Sequence, residues 1–445
     1  MAERRRGRRP LAALAAVLAA AAALGALHRS AHALVLGRYS AKYTALLAAV
    51  TLGALALAAL AWAWPRLPPR RPAELALALV SATLAFAGFD LLLGRWRLGP
   101  STRLVVLDPV THHRLRPGRH FVGRPGDYAT WVTVNADGYR GPQRSRVKPA
   151  GITRVWLTGD SFTLGTGVED GQCYAALLER RLSLGGRRVE VLNGGVDSYA
   201  PLLEYLDLEQ RGFTFEPDLV VLAFDVSDLW QEQGYRLVTR FAADGTPLAC
   251  SGLESLARIP PAVRAERWLR RHSYTWAWGL RRLDEWDRTW ERTAILEGRA
   301  PGILDYTFRE DQTPYLARWA EVEDSLRHVV QACRRRGVRF ALVTYPWGHQ
   351  VNEREWLDGR RATGVPAGRV AGQPGAARLA ALAAREGVPF LDMTPAFRAA
   401  AAAPLYFRFD MHWTPAGHQV AAAALGEFLE REALVGEKAG YTHAQ

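Results

Sequence analysis

Between residues 151 and 435 the chain alternates short apolar runs with stretches of helical periodicity, and few folds accept such a pattern. The runs are "VWLTG", "VEVLNGG", "DLVVLAFD", "RFALVTYP" and "VPFLDM". Between them lie "QCYAALLERRLSL", "APLLEYLDLEQRG", "AEVEDSLRHVVQACRRRG" and "AARLAALAAREG", each with apolar residues spaced for one helix face. "DLVVLAFD" is apolar throughout, as a strand buried on both faces must be. The alternation predicts an α/β fold with a parallel five-stranded sheet between helical layers. Ligands of such sheets bind outside the carboxyl ends of the strands. Gly159-Asp160-Ser161 and Asn193-Gly194-Gly195 stand at two such ends.

The first hundred residues read differently. Leu11–Leu27, Tyr43–Trp64 and Glu74–Leu93 are apolar runs near the roughly 20 residues needed to span a bilayer. Trp62 and Trp64 suit an interfacial aromatic belt. A cleaved signal peptide would explain the first run alone, but two further runs favour a multi-pass anchor. The cluster "ERRRGRR" puts the N-terminus in the cytoplasm. Three spans then leave everything after about residue 95 extracytoplasmic, on a plasma (inner) membrane protein. Two or four spans would change these assignments. Asp90 sits near an expected interface and takes no functional role. The expected divisions are an anchor over 1–100, a connecting segment over 101–150, and a catalytic domain over 151–435 with an insertion at about 230–316.

The net charge of +13 would ordinarily suggest nucleic acid. Its distribution argues against that partner. Residues 1–103 carry 14 Arg and Lys against 3 Asp and Glu, whereas the remainder carries 43 against 41. The basic excess flanks the apolar runs, where it sets membrane topology. Cys173, Cys250 and Cys333 are too few and too scattered for a disulfide framework and match no zinc spacing. The insertion holds a hairpin signal at Asp244-Gly245 and an Arg- and Trp-rich stretch, "RHSYTWAWGLRRLDEWDRTWERT". That stretch suits a membrane surface or a glycan, but an amphipathic helix packed on its own domain is the simpler reading.

A nucleophilic serine needs a base within hydrogen-bond reach and a third group to orient the base. Ser161 leaves the first strand. Far downstream, in "YFRFDMHWTPAGHQV", Asp410 and His412 stand two residues apart, and an extended segment would turn both side chains to one side. Thr414 reads as a helix N-cap followed by Pro415 at the first helical position. An Asp-x-His alone is a surface feature by default; with a strand-end Gly-Asp-Ser it becomes a candidate triad. His349, at the end of the fourth strand, has a pocket role or a packing role. His418 belongs to the last helix, and His112 and His113 are expected in a loop without a metal partner.

These residues resemble the SGNH/GDSL hydrolases. Gly159-Asp160-Ser161 matches the first block of that family, Gly195 in "VLNGGVDSYAP" the second, and Asp410 with His412 the last block in its "DxHW" form. "VNADGYRGP" and "VTYPWGHQV" look similar too. The resemblance covers about residues 110–435. It implies a flavodoxin-like α/β/α sandwich and ester chemistry through Ser161, His412 and Asp410, without a metal or organic cofactor. In the third block the family's Asn before Asp is replaced by Ser227 before Asp228. A hydroxyl donates over a shorter reach than an Asn amide, so the oxyanion hole is expected to rest on the N–H groups of Ser161 and Gly195, with or without Ser227. The implied activity is an esterase acting on acyl (acetyl) esters of an extracytoplasmic carbohydrate or cell-envelope polymer. The alternatives are an O-acyltransferase decorating such a polymer, which would need a membrane partner to supply the acyl group, and a non-catalytic glycan-binding relative.

Overall fold

All five apolar runs form strands, and their order explains where the serine lies. In the computed structural model they are β5 (Thr153–Gly159), β6 (Val189–Asn193), β7 (Leu219–Phe224), β10 (Arg339–Thr344) and β11 (Phe390–Asp392). They assemble in the order β11-β10-β7-β5-β6, every pair parallel. The chain adds β6 on one side of β5 and then crosses back to place β7 on the other. That reversal makes the carboxyl end of β5 the topological switch point, where α/β sheets bind ligands. The structure describes residues 71–97, 104–124, 126–252, 273, 275, 303–363, 365, 368–400 and 404–435.

Burial follows the expected pattern. All six residues of β7 are buried, and in β5 only Thr153 is partly exposed. Helices Tyr174–Leu182 and Pro415–Arg431 pack together in one layer. In the other layer, helices Pro201–Gln210, Asp228–Arg236 and Leu316–Arg335 pack on one another, and Pro374–Glu386 packs on the last of them. Helix Pro374–Glu386 ends at Gly387, a left-handed C-cap that a side chain would strain. The hairpin expected at Asp244-Gly245 joins β8 (Thr239–Phe241) to β9 (Pro247–Cys250).

The stretch expected as a connecting segment is structured. β1 (Val105–Leu107) pairs with β2 (His113–Leu115), and β3 (Gly118–Arg124) with β4 (Tyr128–Val134), both antiparallel. Leu115, Val132, Val134 and Tyr139 enter the main core. His113, expected in a loop, is a strand residue opposite Leu107, while His112 turns the chain with φ of 61°. His113 Nε2 donates to the Asp197 carbonyl at 2.7 Å, which leaves its Nδ1 to accept from His112 Nδ1–H at 2.8 Å. The three cysteines are buried free thiols.

The chain divides into two compact units, Met1–Pro100 with Pro260–Ala300, and Ser101–Ile259 with Pro301–Gln445. The first two apolar runs and most of the Trp-rich stretch lie outside the described residues. The third run lies in helix Arg71–Arg97, which carries Glu74 in its first turn and Asp90 further along. Asp90 accepts from Ser273 Oγ at 2.8 Å and from the Thr275 N–H at 2.6 Å. Among the described residues no helix is long and apolar enough to cross a membrane, so this expected span is not supported.

Candidate active site

Ser161 owes its position to two chain reversals in a row. β5 ends at Gly159, where an added Cβ would lie 2.2 Å from Thr163 Oγ1 and 3.0 Å from the Ala223 carbonyl. Asp160 then caps the short helix Ser161–Leu164, its Oδ1 accepting from the Phe162 N–H at 2.8 Å. Gly165 closes that helix at φ of 84°. The segment behind it is held by Arg140, whose guanidinium reaches the carbonyls of Leu164 at 2.9 Å, Gly165 at 2.5 Å and Val168 at 2.6 Å, and the Asp170 carboxylate at 2.9 Å. Arg140 belongs to "VNADGYRGP". There Asn135 Oδ1 accepts from the N–H groups of Asp137 and Tyr139, folding the turn that delivers the arginine.

The Asp410–His412 pair comes from a different device than the extended segment expected. Tyr406 and Trp413 form an antiparallel bridge, closed by bonds from the Phe407 N–H to the His412 carbonyl at 3.0 Å and from the Thr414 N–H to the Leu405 carbonyl at 2.9 Å. Inside this loop the Asp410 carboxylate accepts from the His412 N–H at 3.2 Å, an Asx-type turn that brings the two side chains together. Trp413 is buried against Phe162, Tyr345 and Phe397, anchoring the loop to the helix that carries the serine. Thr414 caps helix Pro415–Arg431 through the Gly417 N–H, as its sequence predicts.

The three side chains form one line. Ser161 Oγ lies 2.7 Å from His412 Nε2, and His412 Nδ1 lies 2.5 Å from Asp410 Oδ1. A carboxylate only accepts, so Nδ1 carries the proton and Nε2 is the free base facing the hydroxyl. Burial pulls the His412 pKa down. The hydrogen bond and charge of Asp410 outweigh it, Asp160 and Asp197 add to them, and the net shift is upward. Asp160 is raised to about 8 by burial first and then by the charge of Asp225, despite its bonds from the Phe162 N–H and from the Tyr345 hydroxyl at 2.8 Å.

The two residues expected to complete an oxyanion hole are otherwise engaged. The Gly195 N–H donates to Asn193 Oδ1 at 2.9 Å. What Gly195 supplies is room: a Cβ there would sit 2.3 Å from the Leu164 nitrogen. Asn193 also donates to the Thr163 carbonyl at 2.9 Å, tying the end of β6 to the serine's helix. Ser227 does follow β7, at the N-cap of helix Asp228–Arg236, but its hydroxyl and its N–H both donate to Asp225 Oδ1 at 2.6 Å. Asp225 Oδ2 accepts from Trp347 Nε1 at 2.8 Å. The Ser161 N–H, in the first helical turn, has no carbonyl one turn behind it to bond and is the remaining donor of the three.

His349 and His418 serve packing. His349 is fully buried, bonded to Thr307 Oγ1 at 2.9 Å, and burial with nearby Arg360 lowers it to about 3. His418 stacks on Tyr174 and is lowered to about 3, chiefly by burial. Among the described residues no cluster of ligating side chains fits a metal. Sequence reasoning placed Asn193 at a strand end without a role, and it missed Asp127, Tyr128, Asp225, Tyr345 and Trp347. The last two lie in "VTYPWGHQV", whose pattern was legible but whose contacts were not. The turn signal Pro125-Gly126-Asp127, between two β-prone runs, would have revealed the β3–β4 hairpin.

Residues 306–444 match a family model described as "SGNH hydrolase-like domain, acetyltransferase AlgX". No curated protein matches the chain. Among solved structures, the acetyl xylan esterase AlAXEase is similar over 63% of this chain and 100% of its own, with 15% identity and a TM-score of 0.34. Axe2, an acetylxylan esterase from Geobacillus stearothermophilus, is similar over 64% of this chain and 96% of its own, with 17% identity and a TM-score of 0.33. TesA is similar over 63% and 99%, with 14% identity and a TM-score of 0.33. The matched segment holds Asp410, His412 and two of the five sheet strands.

Proposed function

We propose that the chain is a serine esterase acting on acyl esters of a carbohydrate, with Ser161 as nucleophile, His412 as general base and Asp410 as its orienting carboxylate. The observation that carries this reading is the unbroken line from Ser161 Oγ through the imidazole to Asp410. As the hydroxyl oxygen bonds to the acyl carbon, its proton passes to His412 Nε2, and the resulting imidazolium is held by Asp410. The negative charge moves to the former carbonyl oxygen, which the Ser161 N–H is placed to receive. Collapse breaks the bond to the sugar oxygen, which leaves with the Nε2 proton. An acyl-serine remains. A second hydroxyl gives its proton to Nε2 and attacks the acyl carbon; the bond to Ser161 Oγ then breaks, and Oγ takes the proton back from Nε2, restoring the free enzyme.

The identity of that second hydroxyl separates two activities. Water completes an esterase. A sugar hydroxyl completes an O-acyltransferase, the reading favoured by the acetyltransferase in the matched family's description. The test is incubation of the purified full-length chain with p-nitrophenyl acetate, with and without an oligosaccharide acceptor, following free acetate and acylated sugar. Ser161→Ala should abolish both products and labelling by a fluorophosphonate, while Asp410→Asn should lower turnover by on the order of 10⁴. The acid limb of kcat/KM should lie above the ordinary histidine value, because His412 is shifted upward and must be neutral to act. Full labelling of Ser161→Ala would refute the assignment.

A further inference from the structure

The β3–β4 hairpin precedes the serine in sequence and lies outside the residues matched by the family model, yet its turn reaches the loop that carries Asp410. Asp127 accepts two adjacent backbone N–H groups, Phe409 on Oδ1 at 2.9 Å and Asp410 on Oδ2 at 2.8 Å. The Tyr128 hydroxyl donates to Asp410 Oδ2 at 3.0 Å, on the oxygen turned away from the imidazole bond. The Tyr128 ring packs on Phe407, with centroids 4.9 Å apart. Two glycines admit these contacts. At Gly126, with φ of 89°, a Cβ would lie 3.3 Å from the Phe409 ring, and at Gly167 it would lie 2.5 Å from Phe407 and 2.9 Å from Tyr128.

We propose that this turn, through Asp127 and Tyr128, is the positioning arm of Asp410 and thereby tunes the basicity of His412. The proposal rests on the serine-ester reading above. Asp127 fixes the backbone from which Asp410 springs. Tyr128 fixes the carboxylate's rotation and draws off part of its charge. Oδ1 is thus left to the histidine, aimed through Nδ1. Both effects pass through Asp410, since these three bonds from Asp127 and Tyr128 end on it or its neighbour. Among the described residues the other charged or titratable groups around the imidazole are Asp160 after β5, Asp197 after β6, Asp225 after β7, and His418 on the final helix. None of these belongs to the hairpin.

The sign of the effect follows. Without the tyrosine hydroxyl the Asp410 carboxylate is a stronger acceptor, so the imidazolium is better stabilised and the His412 pKa rises. Orientation is lost at the same time. Tyr128→Phe in the full-length chain should therefore lower kcat on p-nitrophenyl acetate roughly 3- to 10-fold, the range of one ordinary intramolecular hydrogen bond. KM should not change, and the acid limb should move to higher pH. In an Asp410→Asn background the same substitution should have little further effect, because its route of action is gone. Asp127→Asn, which keeps the side chain's size, should lower kcat and the rate of fluorophosphonate labelling together. Ser161→Ala is the blank. If that variant stays active, the serine reading falls and this proposal with it. If it is inactive while Tyr128→Phe keeps wild-type kcat and pH profile, only the positioning arm is refuted. Equal losses from Tyr128→Phe in both Asp410 backgrounds, accompanied by a lower melting temperature and an unmoved acid limb, would make the hairpin a merely structural brace.

Discussion

Ser227 shows how one hydrogen atom decides a role. A hydroxyl has a single proton, and here it points to Asp225. The serine then has only lone pairs to offer the site, and an oxyanion needs a donor. Ser227→Ala should therefore reduce kcat less than about tenfold, where removal of a working oxyanion donor costs about 10²–10³. Steady-state kinetics on one activated ester decides it, and a loss of 100-fold or more would restore Ser227 to the oxyanion hole. The position of this serine after the third sheet strand was legible in "LAFDVSD". Its direction was not, because that depends on Asp225, and Asp225 is oriented in turn by Trp347 from another strand end. The same holds for Asp410 and His412. Their types and spacing announced the chemistry, while the Asx-type turn that pairs them emerges only with the Tyr406–Trp413 bridge in place.

The helix Ser161–Leu164 is four residues long and cannot hold itself. Its surroundings do so. Arg140 fastens three carbonyls at its exit, Asn193 takes the Thr163 carbonyl, and Gly195 lets the β6 loop close against its backbone. Arg140→Ala would strand these buried carbonyls, each costing about 1–3 kcal/mol. The expected result is a marked fall in melting temperature and slower fluorophosphonate labelling of the protein that remains folded. A variant as stable and as reactive as wild type would show that water replaces the guanidinium. Elements were the most legible level in this chain. All five strands of the parallel sheet and four of the helices packed on it followed from apolar periodicity, because parallel strands and two-sided layers leave a strong pattern, whereas helix Asp228–Arg236 was not read from the sequence. The strands before the serine escaped because β1 and β2 are only three residues each. The β3–β4 hairpin, whose side chains alternate between buried and exposed in β4, offers no long apolar run to notice.

The whole domain carries an unusual internal load of acid. Asp160, Glu204, Asp225, Asp228 and Glu232 are all buried, and all have raised pKa values. Burial is the leading cause in each; Glu232 reaches about 7. Among the described residues neither carboxyl oxygen of Glu204 has a hydrogen-bond partner, and its shift owes most to burial and then to the charge of Asp160. A carboxyl raised on folding keeps its proton in the native state after the unfolded chain has lost it. Stability from such a group is full below the unfolded value and falls as pH climbs towards the folded one, by about 1.4 kcal/mol per pH unit. The melting temperature should thus be higher near pH 5 than near pH 8. Glu204→Gln, neutral at every pH, should raise it at pH 8 and leave it nearly unchanged at pH 5. Equal shifts at both pH values would mean that Glu204 does not hold its proton in the fold. Distance along the chain has a separate consequence. Ser161 and His412 are 251 positions apart, and the sheet is completed only when β10 joins β7 and β11 joins β10. During synthesis the serine emerges long before its base, and a chain stopped anywhere short of residue 412 holds a hydroxyl with nothing to take its proton. The reactive centre is thereby timed as well as placed: it is silent in every chain stopped before His412 and switches on only once that residue and the far side of the sheet have joined the fold.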